Sequence, residues 1–188
     1  TEIYTLSLHD ALPISIIFVI MAIPVILALL IMIPMLTQTE IPISAVNPND
    51  TIHIEYTKHD LMVVSFGVTE KTVAKSTEIL TIKNDGTAQY NKITEDGGQS
   101  QIMSSVADEK LQKLTALIKE TGFMSIPKES FPILDDVTDY TKSTIRITLN
   151  GNQAQIFWPE QDATDRLIPP IITMLESELD EIIRQIIE

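Results

Sequence analysis

The hydrophobic and polar positions divide the chain into two parts with different patterns. No charged residue lies between Asp10 and Glu40, and residues 11–36 are apolar apart from one serine and three prolines. This run predicts a transmembrane helix, because a bilayer core of about 30 Å requires roughly 20 helical residues. We place the span at residues 16–36. The alternative is a cleaved export signal that ends near residues 43–45.

The segment that follows the apolar run differs from it in composition. Residues 37–50 contain Pro42 and Pro48 and show neither a helical nor an alternating pattern, which predicts an extended juxtamembrane linker. The first basic residue beyond the span is Lys58. Because positive charge near a span marks its cytoplasmic side, the C-terminal part is predicted to be extracytoplasmic.

Residues 51–188 show the patterns of a folded domain. Apolar residues alternate with polar ones in several short segments, which predicts half-buried strands. These strands are predicted at Thr51–Tyr56, Leu61–Phe66, Ser76–Ile82, Thr87–Ile93, Gln101–Ser104, Ser143–Leu149 and a last segment through Ala154, Ile156 and Trp158. Turn residues at 83–86 and at Asn150-Gly151 predict tight hairpins, and therefore antiparallel pairing.

Two segments of the domain have helical periodicity. The first helix is predicted at Val106–Thr121, with a capping arrangement at its start and Gly122 after its end. The second, at Pro169–Ile187, has an apolar stripe with its acidic residues, Glu176 and Asp180 among them, on other faces. Together the elements predict an α+β fold: one N-terminal transmembrane helix followed by an antiparallel sheet packed with two helices.

Several segments carry a resemblance to known sequences. They are Asp85-Gly86 with Tyr90, the helix residues Leu111, Leu114 and Ile118 with Gly122-Phe123, the run 136–140, and the Asn150-Gly151 turn. On these residues the domain resembles uncharacterised membrane-anchored or exported α+β domains, including ones of ammonia-oxidising archaea. The resemblance implies the same architecture and transfers no catalytic residue.

The first residues resemble something different. Residues 1–15, TEIYTLSLHDALPIS, are similar to translated sequencing-adaptor read-through. This resemblance implies that they are not native, so we base no biological inference on them.

Composition excludes several classes of protein. The chain contains 13 Lys plus Arg against 26 Asp plus Glu, a formal net charge of −13, which argues against nucleic-acid binding and favours a basic protein partner. There is no cysteine, which excludes disulfide-stapled scaffolds and cysteine-ligated metal modules.

An acidic cluster in a loop is the first candidate ion site. Asp135, Asp136 and Asp139, with Glu129 nearby, offer carboxylate oxygens that suit calcium. The run lacks the ligand alternation and the glycine of a calcium loop. The alternative interpretation is therefore a solvated loop whose side chains cap the neighbouring backbone.

A second candidate site lies on the first predicted strand. His53 and Glu55 share one strand face, and His59 follows close enough in sequence to join them as ligands of a transition metal. A polar strand face beside a turn is the alternative interpretation of the same residues.

The sequence contains none of the common nucleophile, zinc-protease or phosphate-loop motifs. We therefore predict a membrane-anchored extracytoplasmic binding or accessory domain of unknown ligand, without a cofactor unless calcium binds. Its partners would be the lipid bilayer, through residues 16–36, and a basic protein. One alternative is a small single-pass subunit of a membrane protein complex. Another is a carboxylate-dependent hydrolase that uses Asp136 with Asp139.

Overall fold

The structure, a computed structural model, describes residues 23–26, 28, 46–127 and 131–188. The chain divides into two units, and the second, Ile41–Glu188, contains the sheet and its helices. Residues 23–26 and 28 belong to the first unit and are helical and exposed.

The predicted α+β architecture is confirmed for the second unit, but the fold prediction as a whole is wrong in one component. Among the described residues, no helix combines the length and the apolar character that a membrane crossing requires. The predicted transmembrane helix at 16–36 is therefore not found among the described residues. Apart from 23–26 and 28, its residues lie outside the described part of the chain.

The described residues of the second unit form six strands, two α-helices and two short 3-10 helices. The strands are β1 Ile52–Phe66, β2 Thr69–Ile82, β3 Thr87–Thr94, β4 Gln99–Ser105, β5 Asp139–Leu149 and β6 Asn152–Pro159. The α-helices are α1 Asp108–Glu120 and α2 Pro170–Ile187, and the 3-10 helices are Phe123–Ser125 and Gln161–Ala163.

All six strands form one antiparallel sheet in the order β4-β3-β2-β1-β5-β6. The order follows from the turns, since β1 to β4 are connected in succession and the β5–β6 hairpin adds to the free side of β1. Both α-helices pack on one face of this sheet, so the unit has two layers with the core between them.

The core is built from the residues that the periodicity selects. On β1, Ile52, Ile54 and Tyr56 are buried, whereas the residues between them are half-buried on the opposite face. Helix α1 contributes Leu114 and helix α2 contributes Leu179, each almost fully buried, with their neighbours along the same helical stripes. The strand face that alternation selects and the helix faces that the 3.6-residue period selects therefore pack together in a single core.

The predicted strands at 51–56 and 61–66 are one continuous strand, β1, which pairs with β2 along nearly its whole length. The register with β2 shifts between Asp60 and Leu61, so one extra residue of β2 is accommodated there. The polar run between the two predicted strands suggests a turn. In the structure, Lys58 of this run instead forms an ion pair with Asp180 of α2 at 2.8 Å, which allows the strand to continue.

The two predicted hairpin turns are confirmed. Asn150 and Gly151 have φ values of 51° and 81°, as a two-residue turn with left-handed residues requires. Gly86, in the turn between β2 and β3, has φ of 78°, and a Cβ at this position would lie 2.9 Å from the carbonyl oxygen of Val106. That carbonyl follows β4, so the turn and the end of β4 are packed backbone against backbone.

The start of α1 differs from its prediction. The predicted cap placed Ser105 three residues before Asp108, but the residue at the N-cap is Ala107 and no side chain caps the helix. The end is as predicted, because Gly122 adopts the left-handed conformation immediately after the helix.

Candidate functional site

The face of the sheet opposite the helices carries the residues that the sequence singled out on β1. We call it the open face, because in the part of the chain that the structure describes no helix packs on it. We restrict the name to the part of this face that ends at His59 on β1, which comprises His53, Glu55, Thr57, His59, Thr77, Ile79, Thr81, Thr87, Gln89, Asn91, Ile93, Gln99, Gln101, Met103, Ser105, Lys142, Thr144, Arg146, Thr148, Gln153, Gln155 and Phe157. Most of these side chains are amides or hydroxyls, and Glu55 is the single carboxylate among them. The β1–β2 hairpin continues the same side of the sheet beyond it, where Glu70 lies opposite Ser65.

A hydrogen-bonded row crosses three strands of the open face around Glu55. Arg146 on β5 donates from Nη1 to Glu55 Oε2 at 2.7 Å, and its Nε donates to Gln155 Oε1 on β6 at 3.4 Å. His53 Nε2 lies 3.3 Å from Glu55 Oε1. The register makes this row, because Glu55 lies opposite Arg146, which lies opposite Gln155. These hydrogen bonds fix the orientations of the side chains in the row, and the positive charge of Arg146 compensates the negative charge of Glu55.

A second group lies further along the same face. His59 Nδ1 is 2.9 Å from the Thr77 hydroxyl, and the Lys142 ammonium lies 5.2 Å from the ring centre of Phe157. Burial lowers the pKa of His59 below its ordinary value, and the charge of Lys142 lowers it further, so the ring is neutral at pH 7. The group therefore presents one cation, an aromatic ring and a neutral imidazole.

The structure brings together only two of the three predicted transition-metal ligands. His53 and Glu55 are in contact, but His59 is four residues further along the extended strand, about 13 Å away at roughly 3.3 Å per residue. Among the described residues, no three His, Cys, Asp or Glu side chains are grouped closely enough to hold a metal ion.

The predicted calcium ligands are also dispersed. Asp135 and Asp136 are exposed in a turn, whereas Asp139 begins β5 and forms an ion pair with Lys75 of β2. The remaining residue of that prediction, Glu129, lies outside the described residues. The pairing of Asp139 with Lys75 also engages one of the two carboxylates considered for hydrolysis.

A polar cluster that the sequence did not reveal lies at the edge of the core. Glu176 of α2 accepts hydrogen bonds at Oε1 from the hydroxyls of Ser143, at 2.9 Å, and Tyr56, at 3.2 Å. Its Oε2 accepts one from Trp158 Nε1 at 3.2 Å. Each of the three donors is at most 2% exposed. One carboxylate therefore satisfies donors from β1, β5 and β6 and connects α2 to the sheet.

Tyr56 links this carboxylate to a second one. Its hydroxyl also contacts Asp180 Oδ1 at 3.0 Å, and Asp180 Oδ2 binds Lys58 at 2.8 Å. Burial, followed by the negative charges of Glu176 and Asp180, raises the pKa of Tyr56 above its ordinary range. The Tyr56 hydroxyl is therefore protonated at neutral pH and acts as a hydrogen-bond donor. A signal was present in the sequence, since a core tryptophan and tyrosine each require a partner for their polar atom.

A shallow groove of about 200 Å³ lies where residues 46–50 meet the start of α1, and it is lined by Asn47, Asp50, Asn84, Asp108 and Gln112 among others. Asp50 is the most strongly bonded of these groups. It accepts from Lys119 Nζ at 2.7 Å and from Asn150 Nδ2 at 2.8 Å. These hydrogen bonds lower its pKa from 3.8 to about 2.

The lowered pKa of Asp50 predicts that the stability of the protein depends measurably on pH. Because its folded pKa is below the unfolded value, its contribution is complete above about pH 4 and is lost as the pH falls through about 2. Asp50→Asn should reduce stability at pH 7 by about 1–3 kcal/mol, because the Asp50 side chain is only 8% exposed and its carboxylate accepts from both Lys119 and Asn150. Thermal unfolding of the variant should depend less on pH below about 4 than that of the unaltered chain. Asp162→Asn, at an exposed position, is the matched control. Identical pH dependence in all three proteins would contradict the assignment.

Comparisons with known proteins do not assign the site to a family. No protein-family model matches this chain, and no curated protein matches it.

Proposed function

We propose that this chain is a protein-binding module whose recognition surface is the open face. The observation that supports this proposal most is the distribution of charge. The chain carries 26 acidic residues, yet the open face carries one carboxylate, and that one is paired with Arg146. A solvated face of so acidic a chain would be expected to carry more of them.

The composition of the open face also supports the proposal. The centres of protein interfaces are depleted in charged residues and enriched in aromatic residues, methionine and arginine. The open face exposes Met103 by 58% and Phe157 by 46%, and it contains Arg146. Ile79 and Ile93 are half-buried between the polar side chains. The face therefore combines apolar anchors with hydrogen-bonding groups.

The open face is ordered before a partner arrives. Arg146, Gln155 and Glu55 hold one another across three strands, and His59 is held by Thr77. Binding through side chains that are already fixed loses less conformational entropy than binding through free ones. A rigid sheet of this kind suits a folded partner with a flat surface.

The basic protein partner that the composition predicts would bind a different surface of the domain. It would bind the acidic remainder of the domain, where the carboxylates lie on the helices, mainly α2, and on the turns and loops. That partner and the extracytoplasmic location stay predictions.

The proposal is tested by isolating the tagged full chain from its native cells in a mild detergent. We expect a stoichiometric protein partner. Thr57→Glu, which places a carboxylate on the central strand of the open face, should lower the recovery of that partner about tenfold or more. Phe157→Ala should lower it as well, because it removes an exposed anchor from the same face.

The matched control is Thr173→Glu, which makes the same substitution at an exposed position of α2, in the other layer of the domain. The control should retain the partner. Isolation of the chain alone, or retention of the partner by both Thr57→Glu and Phe157→Ala, would refute the proposal.

A further inference from the structure

The strand β4 forms one edge of the sheet, and among the described residues it has none of the usual protection against pairing with another chain. Its sequence, QSQIMSS, contains no charged residue and no proline, and every residue except Ile102 is exposed. Among the described residues it pairs only with β3. Edge strands with unpaired backbone groups can pair with another chain, and proteins prevent this with lysine, proline, bulges or a covering element.

The opposite edge is different. Strand β6 ends at Pro159, its Gln155 is bonded to Arg146, and the 3-10 helix Phe123–Ser125 packs against it. These features reduce the length of backbone that a further strand can reach. The two edges of the same sheet therefore differ in their capacity to accept another strand.

We propose that a second copy of this chain pairs antiparallel with β4, so that the two six-stranded sheets become continuous. This inference does not depend on the partner of the open face. A two-fold axis at β4 brings the same surface of both copies together, which closes the assembly at a dimer.

The charge distribution favours a second copy as the occupant. Two copies with a net charge of −13 repel each other, and like charges directly opposite in a sheet are destabilising. At β4, any overlap of the two strands places only Gln, Ser, Ile and Met side chains opposite one another. Within the strand itself this edge therefore permits self-pairing without carboxylates opposite one another, and it offers no charge by which to select an acidic or basic peptide.

The size of the edge limits the strength of the dimer. Seven residues at about 3.4 Å each give a strand of roughly 24 Å, so the interface belongs to the small class and the dimer should be concentration-dependent. Salt should strengthen it, because screening reduces the repulsion between the acidic copies. A dimer held by ion pairs would weaken with salt.

The test is sedimentation velocity of the full chain, in a non-ionic detergent that keeps the apolar segment 11–36 from associating. We expect a monomer–dimer equilibrium that shifts towards dimer as sodium chloride is raised. Gln101→Lys should raise the dissociation constant about tenfold or more, because two lysines then approach each other across the edge. Met103→Lys is a second variant with the same expected effect.

The control is Gln153→Lys, which makes the same substitution at an exposed position of the other edge strand. It should leave the equilibrium unchanged, and circular dichroism should show that all variants are folded. A monomer at every concentration would overturn the proposal. So would a dimer that neither β4 variant weakens, or one that Gln153→Lys weakens equally.

Discussion

Replacement of Trp158 by alanine should lower the free energy of unfolding by about 3–5 kcal/mol. The indole is 1% exposed and belongs to the core that the sheet shares with the two helices. Its removal leaves a cavity that the surrounding β-sheet cannot collapse to fill, and it deprives Glu176 of one of its three donors. Urea unfolding monitored by circular dichroism measures the loss, since the variant no longer contains tryptophan.

The neighbouring residue provides the control. Phe157 precedes Trp158 on β6 but points to the open face and is 46% exposed. Phe157→Ala should therefore cost less than about 1 kcal/mol, although it removes a ring of similar character. Equal losses in the two variants would show that the assignment of the faces of β6 is incorrect.

Replacement of Glu176 by alanine should lower stability by about 2–4 kcal/mol at pH 7. The substitution leaves Ser143 Oγ and Trp158 Nε1 without their acceptor, and Tyr56 keeps only Asp180. A buried donor without a partner costs about 1–3 kcal/mol, which exceeds the gain from removing one half-buried charge. Glu176→Gln should cost less, because the amide retains one acceptor oxygen.

The control for Glu176 is Glu181→Ala on the same helix. Glu181 contacts Lys110 at 3.4 Å and Gln185 at 3.0 Å, and its side chain is 42% exposed. Its removal should cost under about 1 kcal/mol, as is usual for surface ion pairs. If Glu176→Ala were as mild as this variant, the polar cluster would not be a structural connection between α2 and the sheet.

Local patterns in the sequence were sufficient for the elements whose signals are short-range. The Asn150-Gly151 turn, the stripe of α2 and the left-handed Gly122 each depend on a few adjacent residues. The continuous strand β1 could not be predicted in this way. Lys58 interrupts the apolar alternation, and the Asp180 carboxylate that satisfies it comes from a helix more than a hundred residues later.

In the candidate sites as well, features that depend on adjacent residues could be predicted, and contacts between distant residues could not. Alternation correctly placed His53 and Glu55 on one face, but it could not supply Arg146, because cross-strand neighbours depend on the register between β1 and β5. Periodicity placed Glu176 on a face of α2 other than the apolar stripe, and it did not predict that the carboxylate would bond to the sheet. The helical stripe was assigned by hydrophobicity alone, whereas the acceptor for Trp158 is a charged residue at its border.

The single carboxylate of the open face has a consequence for how the molecule moves in solution. The six strands carry five carboxylates against six lysine and arginine residues, so the excess negative charge of the domain lies on α2 and on the turns and loops. An anionic molecule that diffuses towards the domain is repelled by the side that carries α2 and therefore approaches the sheet side most often. Orientation during diffusion is thus biased before any contact forms, and the bias fades as ionic strength rises.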